Sequence, residues 1–131
     1  MSPSKMLLLA TVACLSGCAS EVVRYPIESF NTKSLQSKNY VASQTALIHL
    51  DSGYERTINS GTEFVEFGMI KQGKVLKPTN AVFTIEGAHT HEAYLVLDND
   101  RIVGFYLPVE KAFSPLSRAT ILPIQEKEPV K

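Results

Sequence analysis

From Tyr40 onward, the chain falls into short apolar-rich runs of Val, Ile, Thr, Phe and Tyr, separated by polar turn-forming residues. That is the pattern of antiparallel strands. "TALIHL" stops at Asp51-Ser52-Gly53, "TEFVEFGMI" runs into Lys71-Gln72-Gly73-Lys74 and resumes as "KVLKP", and "AVFTIEG" stops at Gly87. "ATILPI" reads as the last strand and "EKEPVK" as a frayed polar tail. The pattern predicts an all-β body over residues 40–125, a small antiparallel barrel or sandwich of about six short strands.

The strongest hairpin signal is "EAYLVLDNDRIVGFYLP". Asn99 and Asp100 suit a two-residue turn because both tolerate positive φ, which sets Asp98 against Arg101. Uninterrupted pairing then places Val96 opposite Val103 and Tyr94 opposite Phe105 on one face, which reads as core. Leu95 faces Gly104, and Ala93 faces Tyr106, on the other. The second face is also apolar, so the hairpin is either covered on both sides or offers Leu95, Gly104 and Tyr106 to a partner. Gly104 marks a bend or bulge that curls a small sheet, or else a close approach of another backbone or ligand. After Pro108, "PVEKAF" predicts one helical turn, broken by Ser114-Pro115.

Ahead of the body, residues 19–39 are polar, contain Pro26 and show no period. They predict a tether that spans about 70 Å when fully extended. Val22, Val23, Tyr25, Ile27 and Phe30 interrupt it, as points that dock on the body or a partner, or as an edge strand. The chain start carries Lys5, an apolar run from Met6 to Leu15, and the small pair Ser16-Gly17. The run is shorter than the roughly 17–20 residues needed to span a bilayer. The order of charge, apolar run and small residues is that of an export signal which is removed.

The ending Leu15-Ser16-Gly17-Cys18 resembles the lipobox of bacterial lipoprotein precursors. The resemblance implies cleavage between Gly17 and Cys18, a thioether-linked diacylglycerol on Cys18, and an acyl chain such as palmitate on the new amino terminus. Two or more chains anchor stably where one does not. Ala19 stands where an aspartate often retains such proteins at the inner membrane, which implies the outer membrane, facing the periplasm. The organisation expected is a signal peptide over 1–17, a lipidated tether over 18–39, the body over 40–125 and a tail over 126–131.

Charge and candidate chemistry narrow the function classes. The chain carries 13 basic and 13 acidic residues, so no single-sign field points to nucleic acid. With Cys14 in the signal and Cys18 lipidated, no thiol remains for a disulfide, a metal or a nucleophile. His89 and His91 share one side of a strand, a spacing that suits one zinc or copper ion if further ligands arrive. His49, Asp51 and Glu55 are candidates for that, and Glu92 for a general base. The plain alternative is a polar loop with solvated histidines. No Gly-x-Ser-x-Gly elbow or phosphate-binding glycine loop occurs. The expectation is therefore no enzyme, and no cofactor beyond the covalent lipid. "DSGYERTINSG", residues 51–61, carries Tyr54 and Arg56 in a polar stretch that suits a protein interface or an ordinary hairpin connection.

These readings predict a non-enzymatic outer-membrane lipoprotein, an accessory or anchoring subunit of an envelope assembly of the secretion, conjugation or pilus kind. Its partners are then the membrane, through the lipid, and an envelope protein. The alternative is a free-standing periplasmic binding module or an inhibitor of an envelope-directed hydrolase. In size and strand content the body is similar to lysozyme-inhibiting lipoproteins, and "DSGY" resembles their Ser-Gly loop, while their cysteines and tryptophan are missing here. A third class is a metal-dependent enzyme using His89 and His91.

Overall fold

The computed structural model describes residues 21–32 and 38–127. The signal, Gly17, Cys18 and residues 128–131 lie outside the described residues. Twelve strands run through the described chain: β1 (Tyr25–Pro26), β2 (Asn39–Ala42), β3 (Ala46–His49), β4 (Glu55–Ile58), β5 (Glu63–Ile70), β6 (Gly73–Pro78), β7 (Thr84–Glu86), β8 (Thr90–Glu92), β9 (Tyr94–Asp98), β10 (Arg101–Leu107), β11 (Ala112–Ile121) and β12 (Ile124–Lys127). The protein is all-β, and every strand pair is antiparallel. Eight strands form one sheet in the order β1-β11-β10-β9-β6-β5-β2-β12, while β3-β4 and β7-β8 are separate hairpins. The strand number exceeds the expected six because β1, β2, β4 and β8, of two to four residues, are too short to show alternation, and because the expected last strand over 119–124 is the end of β11 and the start of β12. Among the described residues no helix is long and apolar enough to cross a membrane.

The β9-β10 turn forms as the sequence predicts, with Asn99 at φ 52° and Asp100 at φ 64°, and Asp98 faces Arg101. Pairing then departs from the expected register. Ile102 faces Leu97, Val103 is an extra bulged residue, and beyond it Gly104 faces Val96, Phe105 faces Leu95 and Tyr106 faces Tyr94. A one-residue slip exchanges the faces of everything after it. Phe105 therefore joins Leu95, Leu97 and Ile102 in the larger core cluster, while Tyr94, Val96 and Tyr106 lie in a second one.

A second bulge repeats the device. In β5 the register slips between Glu66 and Gly68, leaving Phe67 as the extra residue before a glycine. Gly68 pairs with Val75 and Gly104 with Val96, so both glycines belong to the face of the second cluster. A Cβ at Gly68 would collide with the Phe30 ring, and one at Gly104 with the Phe113 ring and the Ser114 carbonyl. Each glycine leaves the space that the edge of an aromatic ring occupies close to the backbone. Gly104 thus satisfies both readings of it, the bulge and the close approach.

The sheet is apolar on both faces and is covered on both. On the first face Tyr40, Phe64, Leu76, Leu95, Phe105 and Leu107 pack with Ala46, Ile48 and Ile58 of the β3-β4 hairpin and with Ile85 of β7. Removing such side chains from water contributes roughly 1.5–3 kcal/mol each. The second face is crossed by the chain start. β1 adds to the edge of β11, pairing Tyr25 with Phe113 and Pro26 with Ala112. The segment then reaches β5, where the Asn31 and Met69 backbones exchange two hydrogen bonds of 2.8 and 2.9 Å. On the way Ile27 packs on the second cluster, and Phe30 meets Phe67 and Tyr106 at centroid distances of 5.5 and 5.3 Å. Residues 21–32 are thus a strap on the body, the docking that Val22, Ile27 and Phe30 hinted at.

Two further expectations change. "PVEKAF" forms a non-helical turn over residues 108–111, and β11 begins at Ala112 and runs on through Ser114 and Pro115. β1 covers only Ala112 and Phe113, so the rest of β11 is an edge, where a proline is tolerated. At the other end Glu126 and Lys127 of the supposed tail are the end of β12, paired with Tyr40 and Asn39.

The packing at Gly104 gives a direct test. Gly104→Ala is expected to lower the unfolding free energy by roughly 1–3 kcal/mol, because backbone on β11 must move. Val82→Ala, at an 83% exposed position, is expected to stay within about 0.5 kcal/mol of the parent. Urea unfolding followed by circular dichroism compares them, and equal stability would mean that β10 and β11 are not in fixed contact there.

Candidate functional site

Four ionisable side chains from three separate parts of the chain meet beside the start of the strap. His91 is the middle residue of β8, paired with Ile85 of β7, and its inward side chain is 6% exposed. Its Nδ1 lies 2.7 Å from Oε2 of Glu110, which sits on the turn between β10 and β11. That turn is closed by Lys111, at φ 56°, whose N–H donates to the Leu107 carbonyl at 2.7 Å. Oε1 of Glu21 stands 3.9 Å from His91 Nε2, and Oε2 of the same carboxylate stands 3.9 Å from His89 Nε2. His91 Nε2 and Glu110 Oε1 are buried without hydrogen-bond partners among the described residues.

The two histidines do not share an environment, as a continuous strand would have made them. His89 precedes β8, in a bend where the Gly87 N–H donates to the His89 carbonyl at 3.0 Å, and its side chain is 74% exposed. Strand alternation does not extend to that bend. Glu21 nevertheless brings both rings to one carboxylate. Burial opposes ionisation of Glu110, but the bond to His91, a local backbone hydrogen bond and the charges of His91 and Arg24 outweigh it, and its carboxyl titrates below the usual range. As they stand, no three histidine, cysteine, aspartate or glutamate side chains among the described residues are gathered closely enough to hold a metal ion.

The other residues singled out from the sequence are engaged elsewhere. His49 pairs with Glu55 across β3-β4 at 2.9 Å, and Asp51 accepts two hydrogen bonds from Ser117 at 2.9 and 2.7 Å. None of the three joins His89 and His91. Leu95 on one face and Gly104 and Tyr106 on the other are all buried, so both faces of the hairpin are covered internally at these positions. The stretch 51–61 is not one loop, because β4 occupies residues 55–58 between two turns. Within it Arg56 is a cross-link: Nε donates to the Thr84 carbonyl at 2.8 Å and the guanidinium pairs with Glu86. Tyr54 is exposed beside the 51–53 turn. A cleft of about 240 Å³ opens between the strap and the body, lined by Val22, Leu50, Ile85, Phe105 and Leu116 with Glu21 at its margin. Glu21 and Glu110 are the members that sequence reading missed. One lay in a supposed tether and the other in a supposed helical turn.

Two outcomes follow. Arg56→Ala is expected to cost roughly 1–3 kcal/mol in urea unfolding, since it strands Glu86 and the Thr84 carbonyl. For Glu110, a carboxyl that titrates lower in the folded state binds fewer protons folded than unfolded. Its contribution is therefore fully present above the ordinary value of 4.5 and lost as pH falls through the lowered folded value. In chelator, the stability advantage of the parent over Glu110→Gln is expected to shrink on acidification through that window. An advantage that grows there would reverse the assignment.

No protein-family model, no curated protein and no solved structure matches this chain.

Proposed function

We propose that this chain is a lipid-anchored, non-enzymatic subunit of an envelope assembly, held at the outer membrane with its body facing the periplasm. The observation that carries the reading is the short distance between the Leu15-Ser16-Gly17-Cys18 lipobox and Val22, a residue 7% exposed in the core. Four residues of extended chain reach about 14 Å at most. The body then rides against the membrane, not on a 70 Å tether, and presents a fixed side to its neighbours. Exposed Val23, Tyr25 and Val109 belong to the strap and to the turn beside it, on the membrane side in this arrangement. The same reading takes the body as a small sandwich, with the eight-stranded sheet backed by the β3-β4 and β7-β8 hairpins.

The apolar cleft under Val22 favours a second reading, a free-standing module that binds a periplasmic ligand. One experiment separates the two: mild cross-linking in intact cells, detergent extraction through a carboxy-terminal tag and mass spectrometry, with Cys18→Ser as the unlipidated control. The expected result is membrane-bound parent with one dominant protein partner, and soluble Cys18→Ser without it. A parent that fractionates as a soluble species would overturn the anchor. A membrane-bound monomer without a specific partner would overturn the assembly role in favour of the binding module.

A further inference from the structure

His91 is held in an unusual way for a buried residue. One ring nitrogen is fixed by Glu110 at 2.7 Å, and the other is buried with no hydrogen-bond partner among the described residues, facing a carboxylate oxygen 3.9 Å away. Buried polar atoms are paired as a rule, so an orphaned ring nitrogen calls for a ligand. A carboxylate on one imidazole nitrogen that leaves the other bare is how metal-binding histidines are oriented. The bare nitrogen faces Glu21, whose other oxygen faces the Nε2 of His89 at 3.9 Å.

We propose that Glu21, His89 and His91 bind one divalent transition-metal ion, zinc by preference, with Glu110 as the positioning residue, and that the ion clamps the strap to β8. Two imidazoles and a carboxylate form a donor set suited to zinc, with the fourth position left to water. Bonds of about 2.0–2.1 Å in a tetrahedron put neighbouring donors roughly 3.3 Å apart. The two separations of 3.9 Å are wider than this, and the side chains that must close are the exposed ones, His89 at 74% and Glu21 at 49%. Glu21 and Glu110 bring two negative charges to the site, against the one positive charge of Arg24 acting on Glu110, which leaves a balance that favours a cation. The clamp concerns Glu21, His89, His91 and Glu110 and stands whether or not Cys18 carries lipid.

The test uses the full chain in detergent, with Cys14→Ser and Cys18→Ser to remove competing thiols. Zinc is titrated calorimetrically into chelator-treated protein, and amide exchange is followed over residues 22–27. One zinc per chain is expected at micromolar or tighter affinity, weakened at least 100-fold by Glu21→Gln or His89→Ala and about 10–100-fold by Glu110→Gln. Exchange over the strap is expected to slow on adding zinc in the parent, and not in Glu21→Gln. Because Glu21 and His89 are exposed, these two variants keep the test valid even if replacement of buried His91 unfolds the protein. Zinc binding no tighter in the parent than in His89→Ala would overturn the site. Binding that leaves strap exchange unchanged, or survives Glu21→Gln, would overturn the clamp.

Discussion

A sheet that is apolar on both faces has to be covered twice, and this chain meets that demand without a helix among its described residues. One face receives two hairpins from the middle of the chain. The other receives the chain's own amino-terminal segment, which joins the edge of β11, crosses the sheet and ends on β5. A sheet left bare on that side would expose Tyr94, Val96, Tyr106 and Phe113, a surface that invites association. The two bulges make the second cover fit, since each sets a glycine beneath an aromatic ring and so lets the ring lie close to the backbone.

The ionisable cluster is a by-product of that cover. Val22 enters the first core cluster and Ile27 the second, so the strap passes from one face to the other around β11. At the crossing Glu21 comes up beside β8, while the turn ahead of β11 delivers Glu110 from the other direction. His91 lies between them, with the β7-β8 hairpin placing its ring inward. Three segments far apart in sequence thus share a small volume beside the start of the strap, and each is there because of packing.

Local chemistry was legible and tertiary consequence was not. Asn99-Asp100 announced its turn because two adjacent residues tolerant of positive φ have few other uses between strands. The bulge at Val103 was unreadable in place, although Gly104 raised it as a possibility. Whether a strand slips by one residue depends on what its neighbours need, here the ring of Phe113 over Gly104. β1 has two residues and one of them is proline, so no periodicity existed to find. Of the cluster, the His-x-His spacing was visible at once. Glu21 and Glu110 carried no signal, because neither sits in a motif and both reach the histidines only through the strap and the turn.

The strap also sets the order in which the molecule yields to force. Tension applied at the amino-terminal end meets Val22 first, then the two residue pairs of β1, then the Phe30 ring and the Asn31–Met69 bridge. The long ladders between β5, β6, β9 and β10 lie behind all of these. A sharp tug applied at that end therefore meets the strap's short contacts before it loads the long ladders of the sheet, so the strap acts as a shock absorber for tension from that side.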